Sequence, residues 1–259
     1  MDRLTGRTLN LFTPSFADVL IMCSAEFIAT GLLIIFGCMG FLNSKDHDLF
    51  YDGIGYGMVV MILLVIFGHV SGGHFNPIVS IWAGIYGVLP FKLVPMYIIS
   101  QFLGALLGYL ILMGIMPEKY FYDGVCVTKT EDDDLTSTQA FFLEFACSLI
   151  IIWVYCGVWD QRSTGSFDSS ALKIGFAYMQ QHFVNGHLTG SGMNPARSFA
   201  AAICNNVWDN HWLYWIAPII GSIVATLVYM LLLASPIEIG KINTGKRLFR
   251  YIHRHQSYH

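Results

Sequence analysis

Six stretches of this chain are long and almost unbrokenly apolar, at about residues 16–42, 54–68, 94–116, 138–159, 170–184 and 212–234. Two further apolar runs, at about 77–85 and 195–204, begin abruptly. Each follows a glycine-containing loop and an Asn-Pro pair. These read Ser71-Gly72-Gly73-His74-Phe75-Asn76-Pro77 in one case and Gly190-Ser191-Gly192-Met193-Asn194-Pro195 in the other. Asn is a favoured helix N-cap and Pro a favoured first helical residue, so each pair predicts a helix starting at its Pro. A helix that crosses a bilayer needs ~20 apolar residues, and these two have about half that. Backbone broken at membrane depth is tolerated only where it lines a cavity or packs on protein, because lipid offers its polar groups no partner. The pattern therefore predicts an all-α integral membrane protein of six transmembrane helices plus two half-helices, and it points to a pore.

The pattern also repeats. The same separation, 118 residues, lies between Glu26 and Glu144, between Gly57 and Gly175, and between Asn76 and Asn194. The predicted organisation is a polar tail (1–15), a first repeat (16–117), a connecting loop (118–137), a second repeat (138–235) and a basic tail (236–259). Each repeat holds three spans, an odd number, so the second enters the membrane upside down. Inverted repeats with broken helices meeting near the midplane are an architecture of transport proteins.

Composition supports the membrane assignment: 55% of residues are hydrophobic and 12% charged, against about 25% charged in soluble domains. The first apolar run is too long for a cleavable leader. Ten Lys and Arg residues fall on the side of the two termini. Only Lys45, Lys119 and Lys129 fall on the other, which predicts both termini in the cytoplasm of a multi-pass protein, expected in the plasma membrane. The net charge of −3 changes nothing in this picture, and no nucleic-acid partner is expected. Cys23, Cys38, Cys126, Cys147, Cys156 and Cys204 have no metal-ligand spacing and mostly sit in apolar runs, so they read as small core hydrophobes. His69, His74 and His182 lack carboxylates at ligand spacing and read as polar lumen lining. No metal, cofactor or nucleophile–base set is expected, and the chain does not read as an enzyme.

Inversion brings Pro77 and Pro195 together at mid-depth with both helix N-termini aimed at one place. Each terminus carries roughly half a positive charge. A cation about 4 Å from both would meet on the order of 4 kcal/mol of repulsion at an effective dielectric near 20, about a thousandfold exclusion. Neutral solutes escape this. Asn76 and Asn194 can cap with the side-chain oxygen and turn their NH2 groups to a passing oxygen atom. Arg197, in the first turn of its helix, opposes the macrodipole, and a permanent charge at this depth is expensive. It has no basic counterpart in the first repeat, where Val79 stands, so it is expected at the outer end of the pore. Glu26 and Glu144 read as buried acceptors that hold the N–H groups of the two loops.

These motifs resemble the aquaporins of the major intrinsic protein family, and the resemblance covers about residues 16–235. It rests on the paired Asn-Pro boxes, Ser71-Gly72-Gly73-His74, Asn194-Pro195-Ala196-Arg197, and Glu26 and Glu144. The resemblance implies a homotetramer with one pore per subunit and an outer selectivity filter. By spacing that filter falls on Tyr56, His182, Ser191 and Arg197. It implies supporting roles for Gly72, Gly73, Gly190, Gly192 and His74. His182, with Ser198, Ala202 and Tyr214-Trp215, is similar to the water-selective pattern, and the resemblance extends to an arthropod aquaporin; glycerol-passing relatives generally carry a small residue at the His182 position, and some arthropod water-channel relatives became glycerol channels by losing that His. Two residues depart from the pattern. Ile78 stands where Ala is usual and must be accommodated where the half-helices meet. Tyr56 replaces the commoner Phe and adds a hydroxyl. Ser191 lacks the mercury-sensitive Cys of some members, so weaker mercury inhibition is expected.

The function expected is a passive water channel excluding protons and ions. Its partners are water, small neutral solutes and the lipid bilayer. The alternatives are a glycerol- or urea-permeable facilitator and a junctional membrane protein with a closed pore. An ion channel would require Arg197 and the helix termini to lie outside the lumen. Ser163, Thr164 and Ser166 fall in a cytoplasmic loop open to phosphorylation, and His187 lies near the outer mouth, where it could confer pH sensitivity.

Overall fold

The computed structural model describes residues 14–40, 49–118, 121, 124–130, 134–163 and 169–234. The polar tail up to residue 13, Lys45, Lys119, the acidic residues 131–133, Thr164, Ser166 and the basic tail lie outside the described residues. Among those described there are eight α-helices and no strand. These are α1 (Phe16–Gly40), α2 (Leu49–Ser71), α3 (Pro77–Tyr86), α4 (Val94–Ile115), α5 (Ser137–Trp159), α6 (Ser170–Thr189), α7 (Pro195–Asn205) and α8 (Leu213–Val228). A π-turn, Tyr229–Leu233, extends α8.

Five segments are long and apolar enough to cross a membrane; they fall on α1, α2, α4, α5 and α8 with its π-turn. The sixth long helix, α6, has 20 residues, about 30 Å of length, but it carries Gln180, Gln181, His182, Asn185 and His187. It also runs five residues past the apolar run 170–184, because its last turn is polar and hydropathy does not register it. Similarly α2 begins before the apolar run, at Leu49, with Asp52 in its first turn.

Helices α3 and α7 are short, 10 and 11 residues, so about 15 Å each and together about one bilayer thickness. Both begin at Pro. Asn76 Oδ1 accepts from Ile78 N, and Asn194 Oδ1 accepts from Ala196 N and Arg197 N. Both end on a left-handed residue, Gly87 (φ +83°) and Asn206 (φ +53°). That conformation closes a helix C-terminus and is easiest for Gly or Asn.

The packing follows the duplication. α1 lies on α4 as α5 lies on α8, and each half-helix rests on the last long helix of the other repeat, α7 on α4 and α3 on α8. Lipid tails are as apolar as Leu, so helices in a membrane are held by close packing of small residues rather than by exclusion of water. A Cβ on Gly57 would come within 2.6 Å of Gly175 O, and one on Gly175 within 2.7 Å of Gly57 O, so α2 and α6 cross backbone to backbone at this related pair. Gly221 approaches Phe145 O just as Gly104 approaches Phe27 O, and residues 27 and 145 are again 118 apart. Large apolar side chains such as Ile99, Leu103, Val65 and Leu231 are exposed on the outside of the helices, as a lipid-facing surface requires.

The cysteines correct the sequence-based expectation in one place. Cys38 and Cys126 form a disulfide, Cα to Cα 5.4 Å, across 88 residues of sequence. It ties the end of α1 to the segment 124–130. Cys23, Cys147, Cys156 and Cys204 take no part in a disulfide. Among the described residues no group of His, Cys, Asp or Glu is arranged to hold a metal.

Candidate functional site

The two glycine-containing loops have the same backbone. Gly72, Gly73 and Phe75 have positive φ, as do Gly190, Ser191 and Met193, each 118 residues on. Phe75 at +53° and Met193 at +43° hold left-handed conformations that side chains rarely adopt. Such strain persists only where surrounding contacts over-determine it. Those contacts come from Glu26 and Glu144, both fully buried.

Glu26 Oε1 accepts from Ser71 Oγ (2.6 Å) and His74 N (3.0 Å), and Oε2 from Phe75 N (2.8 Å) and Gln101 Nε2 (2.7 Å). Glu144 Oε1 accepts from Asn185 Nδ2 (3.1 Å), Thr189 Oγ1 and Gly192 N (2.8 Å), and Oε2 from Met193 N (2.9 Å). Each carboxylate thus meets four donors, two of them loop N–H groups, which offsets the loss of its hydration. Gly192 has no room for a side chain: a Cβ would lie 2.5 Å from the Tyr214 ring. Tyr97 and Tyr214 close the two loops from outside, donating to Ser71 O (2.8 Å) and Thr189 O (2.9 Å).

At the loop tips the half-helices meet. Asn76 Nδ2 donates to Met193 O (2.9 Å) and Asn194 Nδ2 to Phe75 O (2.9 Å), a reciprocal crossing of one repeat into the other. The two N-termini therefore face each other. His74, Asn76 and Asn194 line a cavity there with Leu33, Val60, Phe75, Tyr155 and Tyr178; it has room for about one water molecule. Ile78 is fully buried in the apolar core and is not among the lining residues. Its carbonyl accepts from Ser222 Oγ (2.8 Å).

The four residues assigned to the outer filter are also brought together. Tyr56 stacks on His182, ring centroids 4.5 Å apart and 29° between planes. His182 Nδ1 meets Tyr178 O at 3.0 Å. A carbonyl only accepts, so Nδ1 carries the proton, and in the neutral ring Nε2 is left as an acceptor. Ser191 Oγ donates to Gln181 O (2.9 Å), tying the loop to α6. Arg197 is 1% exposed, and its Nη1 donates to Gly190 O (3.2 Å). The filter region thus holds one fixed cation, one imidazole acceptor and two stacked rings.

The sequence profile described as Major intrinsic protein matches residues 15–229. The chain belongs to that family. Members of this family that are aquaporins are among its relatives: aquaporin-8 of Notomys alexis is 29% identical over 234 residues, covering 88% of this chain and 87% of its own. Aquaporin-2 of Bos taurus is 33% identical over 214 residues, covering 82% and 78%. In fold the chain is similar to the aquaglyceroporin from Plasmodium falciparum, with a TM-score of 0.73 at 22% identity over 85% of this chain and 98% of that one. This major intrinsic protein is a membrane channel and not an enzyme.

Three residues of the site escaped the sequence reading. Gln101 and Asn185 complete the donor sets of the two carboxylates. The signal was available, since an amide inside a span needs a partner. Tyr178 sits four residues before His182, one helical turn away on the same face of α6, and so joins it on the pore side.

Proposed function

We propose that this protein is a passive, bidirectional water channel that excludes protons and ions. Tyr56, His182, Ser191 and Arg197 select by size and polarity at the outer end. Asn76, Asn194 and the two facing helix termini orient the passing oxygen atom and repel cations at the centre. The observation that carries the reading is the stacked Tyr56–His182 pair in the same filter region as the buried Arg197. Two rings and a guanidinium leave a narrow polar opening, which suits water better than a three-carbon polyol. Pore diameter, lining donors and an electrostatic barrier are the general basis of such selectivity.

The test is stopped-flow light scattering on proteoliposomes, with water and glycerol gradients compared on one preparation. Fast water equilibration with glycerol uptake near that of empty vesicles is expected. Glycerol uptake well above empty vesicles would replace this reading with the polyol facilitator, and water flux no higher than empty vesicles would leave the closed junctional protein. Ile78, the larger residue where the half-helices meet, is buried in the core and is not among the residues lining the mid-pore cavity.

By the same family likeness we assign four copies per assembly, each with its own pore. The exposed apolar faces of the long helices are suited to lipid and to neighbouring copies. The excess of basic residues on the side of the termini supports a topology with both termini in the cytoplasm, and we assign the protein to the plasma membrane.

A further inference from the structure

Asn76 has two side-chain N–H groups and both are taken. One donates to Met193 O at 2.9 Å, the other to the Tyr178 hydroxyl at 3.1 Å. An oxygen atom passing the junction of the half-helices would need that second hydrogen, so the Tyr178 hydroxyl stands where a permeating oxygen would accept. The phenol belongs to the pore wall: its ring centroid is 6.1 Å from that of Tyr56. It lines the central cavity with Asn76, Asn194 and Tyr155, and its backbone carbonyl fixes the His182 ring one turn away.

We propose that Tyr178 is a mid-pore latch, a specificity-determining residue that competes with the permeating oxygen for Asn76 and sets both the rate of water passage and the size of solute admitted. The proposal rests on the reading above that the lumen runs past the two Asn residues. Passage exchanges one neutral hydrogen bond, amide to phenol, for another, amide to water. The exchange costs no more than about one net hydrogen bond, so the latch can open without distorting the helices. The ring itself is the steric part. It narrows the channel one turn below His182, so a solute that clears the outer filter meets a second narrowing beside the Asn pair.

Two variants of the full chain separate the hydroxyl from the ring. Tyr178→Phe keeps the ring and frees the second N–H of Asn76. Tyr178→Val removes the ring as well. Both are purified, checked for monodisperse elution beside the parent protein, and compared in proteoliposomes at equal protein per vesicle. Tyr178→Phe is expected to raise water permeability roughly fivefold, the population change one net hydrogen bond supports, with glycerol uptake unchanged. Tyr178→Val is expected to raise water at least as far and to admit glycerol. A residue that serves only packing would leave flux unchanged or lower it. If the parent protein conducts and neither variant conducts faster, the latch is overturned while the water-channel reading stands. If the parent and both variants are silent, both fail. A silent parent opened by either variant supports the latch in its fully closed form.

Discussion

Severing the Cys38–Cys126 bond tests how the proposed filter is held. The disulfide fixes the segment 124–130, and that segment lies against the filter. A Cβ on Gly190 would come within 3.2 Å of Thr128 Cα, and Gly190 O is the acceptor for Arg197. Tyr109 adds a second tie, donating to Val125 O at 2.6 Å. Cross-linking 88 residues corresponds to about 4–5 kcal/mol in chain-entropy terms. That value assumes a free coil. Here α2, α3 and α4 lie inside the closed loop and stay inserted when packing is lost, so about 2 kcal/mol is expected. For a chain of this size that is a fall in Tm of roughly 4–8 °C. The assay is thermal unfolding in detergent for the parent protein and for Cys38→Ser/Cys126→Ser, each with and without reductant. Reductant should lower the parent's Tm to that of the double variant and leave the variant where it was. Glycerol uptake should rise in the reduced protein as Gly190 and Arg197 lose their backing. Reduction demonstrated by thiol labelling, with Tm and solute uptake both unchanged, would refute the idea that this bond braces the filter.

Three further outcomes follow from the polar contacts. In Glu144→Gln, the new NH2 group is best turned toward Met193 N, the single donor on Oε2. That leaves a backbone N–H without its acceptor, at about 1–3 kcal/mol, so Tm should fall and water flux with it; an unchanged melting curve would argue that the carboxylate is not what holds the strained loop. His182→Ala removes the ring stacked on Tyr56, with about 1 kcal/mol of stability, and should let glycerol through; isotope uptake that stays at background would place the size limit elsewhere. At the C-terminal end of α5, Asp160 accepts from Arg162 (Nε 2.8 Å) and Tyr229 (3.0 Å). Burial alone would push its carboxyl up, but the hydrogen bonds from Arg162 and Tyr229 outweigh it and hold the carboxyl below its ordinary value. A depressed carboxyl contributes stability that is complete above the ordinary value of about 3.9 and is lost as pH falls through the lower, folded one. Tm measured from pH 7 to pH 3 should therefore dip at the acid end in the parent protein, and Asp160→Asn should lose that part of the dip.

Much of the pore was legible because its local chemistry is written in short spacings. Asn-Pro starts a helix wherever it occurs, and an apolar run too short to cross announces that the helix stops midway. The acceptor role of Glu26 and Glu144 was readable from their shared offset to the loops. The disulfide was not, because nothing local marks it: Cys126 lies between Val125 and Val127, and its partner is on another element. The last turn of α6 was missed for a related reason. Asn185 and Thr189 are polar because they serve Glu144, and a hydropathy criterion reads service as an ending. Tyr178 was passed over because a tyrosine among apolar neighbours is indistinguishable from core until its hydroxyl is seen to meet Asn76 at the central cavity.

The contact between Gly57 and Gly175 has a mechanical consequence. Where two backbones touch, neither helix can approach further at that point. Tyr56 stands one residue from one side of this pivot and Tyr178 three from the other, so the walls bearing the two phenols are fixed at their point of closest approach. On the proposed lumen, adjustment then falls to the torsion of single rings inside a stiff frame, and a change of one rotamer would alter what crosses.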